Sequence, residues 1–221
     1  MKAETVKIYG RVTDFYNHPL EGAVVRILND RFEDITNTYT NDHGQFEVVL
    51  DKGMYYAFYA CKDYGVHYLE YWAWNIPAYQ DIEMNSKIDG LEVYSLRAFK
   101  VFRNFPQLML YFRPMSLKRS QPLRENIQIL DSSQIIDIAP NLKKDDLKVF
   151  INGKKSEIYQ INKVQEYADQ NNIYAYLIHV SLDSSTNLFE YNRIDITIKD
   201  DETGEFGMGT TYWKEEATIN Y

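Results

Sequence analysis

His67 and Glu70 stand three residues apart, with His179 far downstream. Two imidazoles and a carboxylate can hold a catalytic zinc ion while leaving one coordination position open for water. On a strand, however, residues three apart point to opposite faces, and the stretch after His67 reads as strand. A zinc-dependent hydrolase is therefore the third reading, and no metal ligand is assigned. The run Asp200-Asp201-Glu202-Thr203-Gly204-Glu205 has four carboxylates in six residues, which would suit Ca²⁺. Their order does not match an EF-hand loop, and acidic hairpin turns are mostly solvated. Cys61 is the sole cysteine, which excludes an intrachain disulfide. Within Tyr59-Ala60-Cys61 it reads as a small buried hydrophobe rather than a nucleophile. The chain has no glycine-rich phosphate loop, Gly-x-Ser-x-Gly elbow or Cys/His nucleophile pair. No catalytic residue and no cofactor is expected, and the chain is read as not an enzyme.

The aromatic residues give the one binding chemistry. Tyr68, Tyr71, Trp72, Trp74 and Tyr79 crowd one short segment. Sugar rings stack their C–H faces on Trp and Tyr, so Trp72, Trp74, Tyr71 and Tyr79 are the candidate ligand-binding residues. Strand alternation puts Trp72 and Trp74 on one face and Tyr71 and Ala73 on the other. The competing reading is structural: one face is core and the other an interdomain seam, since large aromatics dominate both.

The elements that carry these residues are strands. Val6 to Val12, Ala23 to Leu28, Thr36 to Thr40, Gln45 to Leu50 and Met54 to Ala60 alternate or are β-branched, with Pro- and Gly-containing turns between them. Turn signals every 8–12 residues are typical of an antiparallel sandwich. The rhythm continues in Ile88 to Leu96, then Leu108 to Pro114 across a Phe105-Pro106 joint. Asn152-Gly153 is a strong type I′ hairpin signal. Tyr174 to Val180, Arg193 to Ile198 and Gly207 to Trp213 follow. Gln121 to Asn126 and Asp131-Ser132-Ser133 read as loops, and Val164 to Asp169 as one short helical turn.

The order of residues in the first half is recognisable. Ile8-x-Gly10-x-Val12-x-Asp14 is followed by Pro19-Leu20-x-Gly22-Ala23-x-Val25, then Thr38-x-Thr40-Asn41-x-x-Gly44-x-Phe46 and Gly53-x-Tyr55. This series resembles the carboxypeptidase regulatory-like domain, a small β-sandwich related to the transthyretin and Cna-B-type folds, over roughly residues 5–85. The resemblance implies a module that accompanies other domains and has no active site. The enzymes after which that family is named carry a His-x-x-Glu and a distant His as zinc ligands. Their catalytic domain is a large α/β fold that 221 residues already holding a sandwich cannot contain.

Composition agrees. Aromatics make up 15% of the chain, with 19 Tyr and 11 Phe, residues that favour strands. The net charge of −8 argues against nucleic acid, which needs a basic face. No apolar run approaches the length of a membrane span. No apolar stretch precedes the first strand pattern, so the expected compartment is the cytoplasm unless a leader was removed. The expectation is an all-β chain of two tandem antiparallel sandwiches, transthyretin-like over 1–88 and Ig-like over 89–221. Its expected function is a non-catalytic binding or structural module that recognises a protein partner. A carbohydrate-binding accessory protein using Trp72 and Trp74 is the alternative.

Overall fold

The computed structural model describes residues 4–101, 107–124, 137–168 and 171–215. The expected Phe105-Pro106 joint and the Asp131 to Ser133 loop lie outside them. The fold is all-β, with sixteen strands and one helix among the described residues. In chain order the first half holds β1 (Thr5–Thr13), β2 (Val24–Leu28), β3 (Asp34–Tyr39), β4 (Gln45–Asp51), β5 (Gly53–Cys61), β6 (Tyr71–Ala78), β7 (Ile82–Glu83) and β8 (Ser86–Lys87). The second half holds β9 (Leu91–Phe99), β10 (Gln107–Ser116), α1 (Leu117–Arg124), β11 (Leu147–Ile151), β12 (Lys154–Ser156), β13 (Ile158–Ala168), β14 (Asn171–Ser181), β15 (Asn192–Lys199) and β16 (Phe206–Trp213).

Two small sheets face one large one. β4-β1-β7, with β8 also on β1, forms one cover, and β13-β14-β10-β9 forms the other. Between them runs an eight-stranded sheet in the order β12-β11-β15-β16-β6-β5-β2-β3. It passes through both halves of the chain because β6 pairs with β16, Trp72 opposite Gly209 and Trp74 opposite Thr211. That pairing is parallel, as are the short β1 pairings with β7 and β8. The remaining ladders are antiparallel.

Where one face is covered, alternation is clean. In β4, Phe46, Val48 and Leu50 point inward and their neighbours outward; in β15, Ile194, Ile196 and Ile198 do the same. The middle of the large sheet is covered on both faces, so β6 begins with four consecutive buried residues, Tyr71-Trp72-Ala73-Trp74. Tyr71, Ala73, Phe58 and Ile27 belong to the core under β1 and β4. Trp72, Trp74, Tyr59 and Leu28 belong to the core under β9 and β10, with Leu91, Val93, Phe112 and Ile196.

The large sheet and β9 approach closely where β16 carries glycine. A Cβ on Gly209 would sit 2.9 Å from the Val93 side chain, and one on Gly207 would sit 2.8 Å from the Leu91 carbonyl oxygen. Two local readings change. Residues 117–124 form a helix rather than opening a loop, capped by Ser116, whose Oγ accepts from the Arg119 N–H at 3.1 Å. The stretch from Val164 is strand, paired to β14 as far as Ala168, rather than a helical turn.

Candidate functional site

The residues singled out for zinc are not brought together. His67 is exposed in the turn before β6, 4.0 Å from Asp63. Glu70 turns inward under Trp72, and His179 lies on β14 opposite Met109 and Gln160. Among the described residues no three His, Cys, Asp or Glu side chains converge as a metal ion requires. In the acidic turn, all four carboxylates are already engaged by protein groups, Asp201 by Lys199 at 2.5 Å. Arg119 reaches Asp200 at 2.8 Å and Glu202 at 2.6 Å. Buried Glu205 accepts from Ser116 Oγ at 2.5 Å and from the N–H of Lys118 at 3.0 Å, at the start of α1. These contacts dock α1 on the turn, so Asp200 and Glu205 are not the solvated face that was expected. Burial pushes the Cys61 thiol up to about 12, which keeps it un-ionised.

The candidate sugar platform is not a surface. Trp72 and Trp74 are each only 6% exposed, and Tyr71 is fully buried on the opposite face. The Tyr71 hydroxyl donates to Thr210 Oγ1 at 2.7 Å. Tyr79 alone of the four is open, at 53%, beyond the end of β6. The two indoles stack on each other, centroids 5.0 Å apart and planes 12° from parallel. Tyr94 from β9 stands edge-on to both, at 5.6 and 5.5 Å. Alternation did put both tryptophans on one face; that face is closed by β9. At roughly 25 cal/mol per Å², burying 150–250 Å² of indole is worth about 4–6 kcal/mol each.

The aromatic cluster does reach a concave surface at its margin. A cleft of about 550 Å³ is lined by Phe32, Tyr56, Trp74, Tyr94 and Trp213, with Arg97 and Arg113 on its walls. Local backbone features aim these side chains. Asn29 Oδ1 accepts from the N–H groups of Arg31 and Glu33, each at 2.9 Å, and closes a tight turn after β2. Phe32 occupies that turn at φ 61° and lies edge-on to Tyr56 at 5.6 Å and to Trp74 at 6.3 Å. On β9 the register against β10 shifts between Arg97 and Tyr94, and Ser95 has φ 54°. Residues three apart on a regular strand face opposite ways; the bulge brings Tyr94 and Arg97 to the same cleft. Asn75, at φ 58°, lies within β6 beside Trp74.

Charge in the cleft is partly neutralised. Arg113 pairs with Glu166 through Nε at 2.7 Å and through Nη2, and its guanidinium lies 5.9 Å from the Tyr94 ring centroid. The Arg113 contact holds the Glu166 carboxyl below its usual range, with Arg97 adding to the effect. Tyr111 also donates to Glu166, and its hydroxyl is pushed up to about 12 by burial and by that carboxylate. Arg97 is exposed. Trp74 carries an indole N–H with no acceptor among the described residues. The sequence signal for this cleft was only partial: Trp74 was singled out, whereas Phe32, Tyr56, Tyr94, Arg97 and Trp213 lie far apart in the chain.

The chain matches no protein-family model, and no curated protein matches it. Among solved structures it is similar to BcpA, the major pilin subunit of Bacillus cereus, at 13% identity over 95% of this chain and 69% of that one, with a TM-score of 0.30. It is also similar to DUF3823 family proteins from Bacteroides ovatus and Parabacteroides merdae, at 9% and 13% identity, each covering 96% of this chain and 100% of the other, with TM-scores of 0.30. At these scores the likeness carries no weight for function.

Proposed function

We propose that the chain is a non-catalytic β-sandwich recognition module that holds a ligand in the cleft between its two halves. The observation behind this is the convergence of Phe32, Tyr56, Trp74, Tyr94 and Trp213, from five separate segments, on one concavity that also receives Arg97 and Arg113. A concavity with aromatic walls and a few convergent polar groups is a common form of small-molecule site. Its lining contains no His, Cys, Asp or Glu, so it offers binding groups rather than acid–base chemistry. The resemblance of the first half to carboxypeptidase regulatory-like domains supports the same reading, since those modules have no active site. Trp213 lines the cleft and is only half-buried, so it can report on occupancy. A panel of soluble glycans and small organic anions is expected to give one saturable change in tryptophan emission that Trp213→Phe abolishes. No saturable response, or one that survives in the variant, contradicts the proposal.

A protein partner is the second reading, favoured by β3. This strand forms an edge of the large sheet, with Ile35 48% and Tyr39 66% exposed. Edge strands offer unpaired backbone groups to an extended peptide. The Thr40 N–H bonds inward to Ala23, so by alternation the backbone of Asn37 points away from β2. Asn37→Pro is then expected to abolish edge pairing while leaving the β2–β3 ladder intact; a partner that binds the variant equally well excludes this mode.

A further inference from the structure

We infer that the ligand of the cleft is an acidic oligosaccharide, an assignment that rests on the recognition reading above. A second cleft of about 550 Å³ shares Asn75, Ala98, Tyr212 and Trp213 with the first and adds Lys100, Tyr191, Lys214 and Glu215. The two adjoining clefts are lined by aromatic rings and by four cations, Arg97, Arg113, Lys100 and Lys214, against one carboxylate, Glu215. The chain as a whole carries −8, so this local excess of positive charge runs against its overall balance.

Two of the cations are compensated, Arg113 by Glu166 and Lys100 by Glu215 at 3.0 Å. Arg97 and Lys214 have no carboxylate at ion-pair distance among the described residues; both are exposed, and the Lys214 ammonium lies 4.6 Å from the Tyr191 ring centroid. These two cations belong to different clefts, Lys214 to the second and Arg97, which also acts at longer range on Glu166, to the first. A complementary ligand must bring apolar ring faces to the aromatic walls and anions to both ends. A chain of uronic-acid rings has both features, one carboxylate per ring. Single-stranded nucleic acid would also stack on aromatics, but it carries a phosphate at every nucleotide and needs a more basic groove than Arg97 and Lys214 provide.

Calorimetric titration of the full chain tests this with a galacturonic-acid trisaccharide, a neutral trisaccharide of the same length, and a short single-stranded oligonucleotide. The acidic sugar is expected to bind at least about tenfold more tightly than the neutral one, and more weakly as salt is raised. Arg97→Gln with Lys214→Gln, two exposed substitutions, is expected to remove most of that preference while circular dichroism stays unchanged. Equal affinity for both sugars, lost in Trp213→Phe, overturns the acidic assignment and leaves the cleft reading standing. Binding that survives in Trp213→Phe overturns both. Tighter binding of the oligonucleotide, or no binding of the acidic sugar, overturns the assignment.

Discussion

Glu70 and Glu92 accept hydrogen bonds from the same atom: Nε1 of Trp72 lies 2.9 Å from Glu70 Oε2 and 3.0 Å from Glu92 Oε1. Glu70 stands at the entrance to β6 and Glu92 on β9, so one indole N–H ties the two halves of the chain across their seam. Glu92 is 1% exposed, and its Oε2 has no partner among the described residues. Few arrangements are more costly than a buried carboxylate facing another, and protonation is the usual way out.

Stability should therefore depend on pH through this pair. Burial raises both carboxyls, and the neighbouring Glu70 charge raises Glu92 further, well above the usual range. The other groups facing them are Arg26 on β2, whose charge opposes the rise at Glu70, Tyr59 and Cys61 on β5, and Tyr94 on β9. A carboxyl held protonated in the folded chain and ionised in the unfolded chain contributes stability at low pH and loses it as pH rises through the folded value. Unfolding free energy should thus fall as pH rises above the ordinary carboxylate range. Glu92→Gln should flatten that slope and raise stability near neutrality by about 1–2 kcal/mol. Denaturant titrations across the range decide it; an unchanged slope in the variant rules the pair out as its source.

Trp72→Phe keeps a ring in the stack but removes the shared donor. Leaving two inward-facing carboxyls without it should cost about 1–3 kcal/mol and steepen the pH dependence. The midpoint of urea unfolding measures the first effect. A variant as stable as wild type would mean that the hydrogen bonds contribute nothing net.

Much of this architecture was legible because it is local. Phe46, Val48 and Leu50 alternate, Asn152-Gly153 forms the type I′ turn with φ of 49° and 77°, and Trp72 and Trp74 share a face as period two requires. What covers that face was not legible, because it depends on β9 returning over β6 and on the parallel β6–β16 pairing between residues 137 apart in sequence, Trp72 and Gly209. The cleft was hidden for the same reason: Tyr94 and Arg97 meet in it through a bulge, and Phe32 arrives on a turn built by Asn29. The helix at Leu117 was masked by Pro122 inside it and by its N-cap, Ser116, which is also the last residue of β10.

Gly209→Ala should loosen the seam. The added methyl would lie 2.9 Å from the Val93 side chain and force β9 away from β16, at about 1–3 kcal/mol. Gly153→Ala, where nothing lies within 4 Å of the added Cβ but φ is 77°, separates turn strain from crowding. Thermal unfolding of both variants checks this. An unperturbed Tm for Gly209→Ala would show that the strands can part freely.

Cys61 should be inert in the folded chain. Its thiol is buried and pushed up to about 12. Labelling by a thiol reagent near neutral pH should be slower than for unfolded protein by more than about a hundredfold. Labelling at comparable rates would contradict the closed packing of β5.

In the proposed recognition module, Trp72 and Trp74 are structural and Trp213 faces the ligand. Acrylamide quenching of wild type and Trp213→Phe, each with and without saturating galacturonic-acid trisaccharide, tests it most directly. Wild type should show an accessible fraction of emission that the sugar protects and that Trp213→Phe lacks, with the remaining emission blue-shifted and unquenched. Strong quenching that persists in Trp213→Phe, or sugar protection of the emission remaining there, would contradict it.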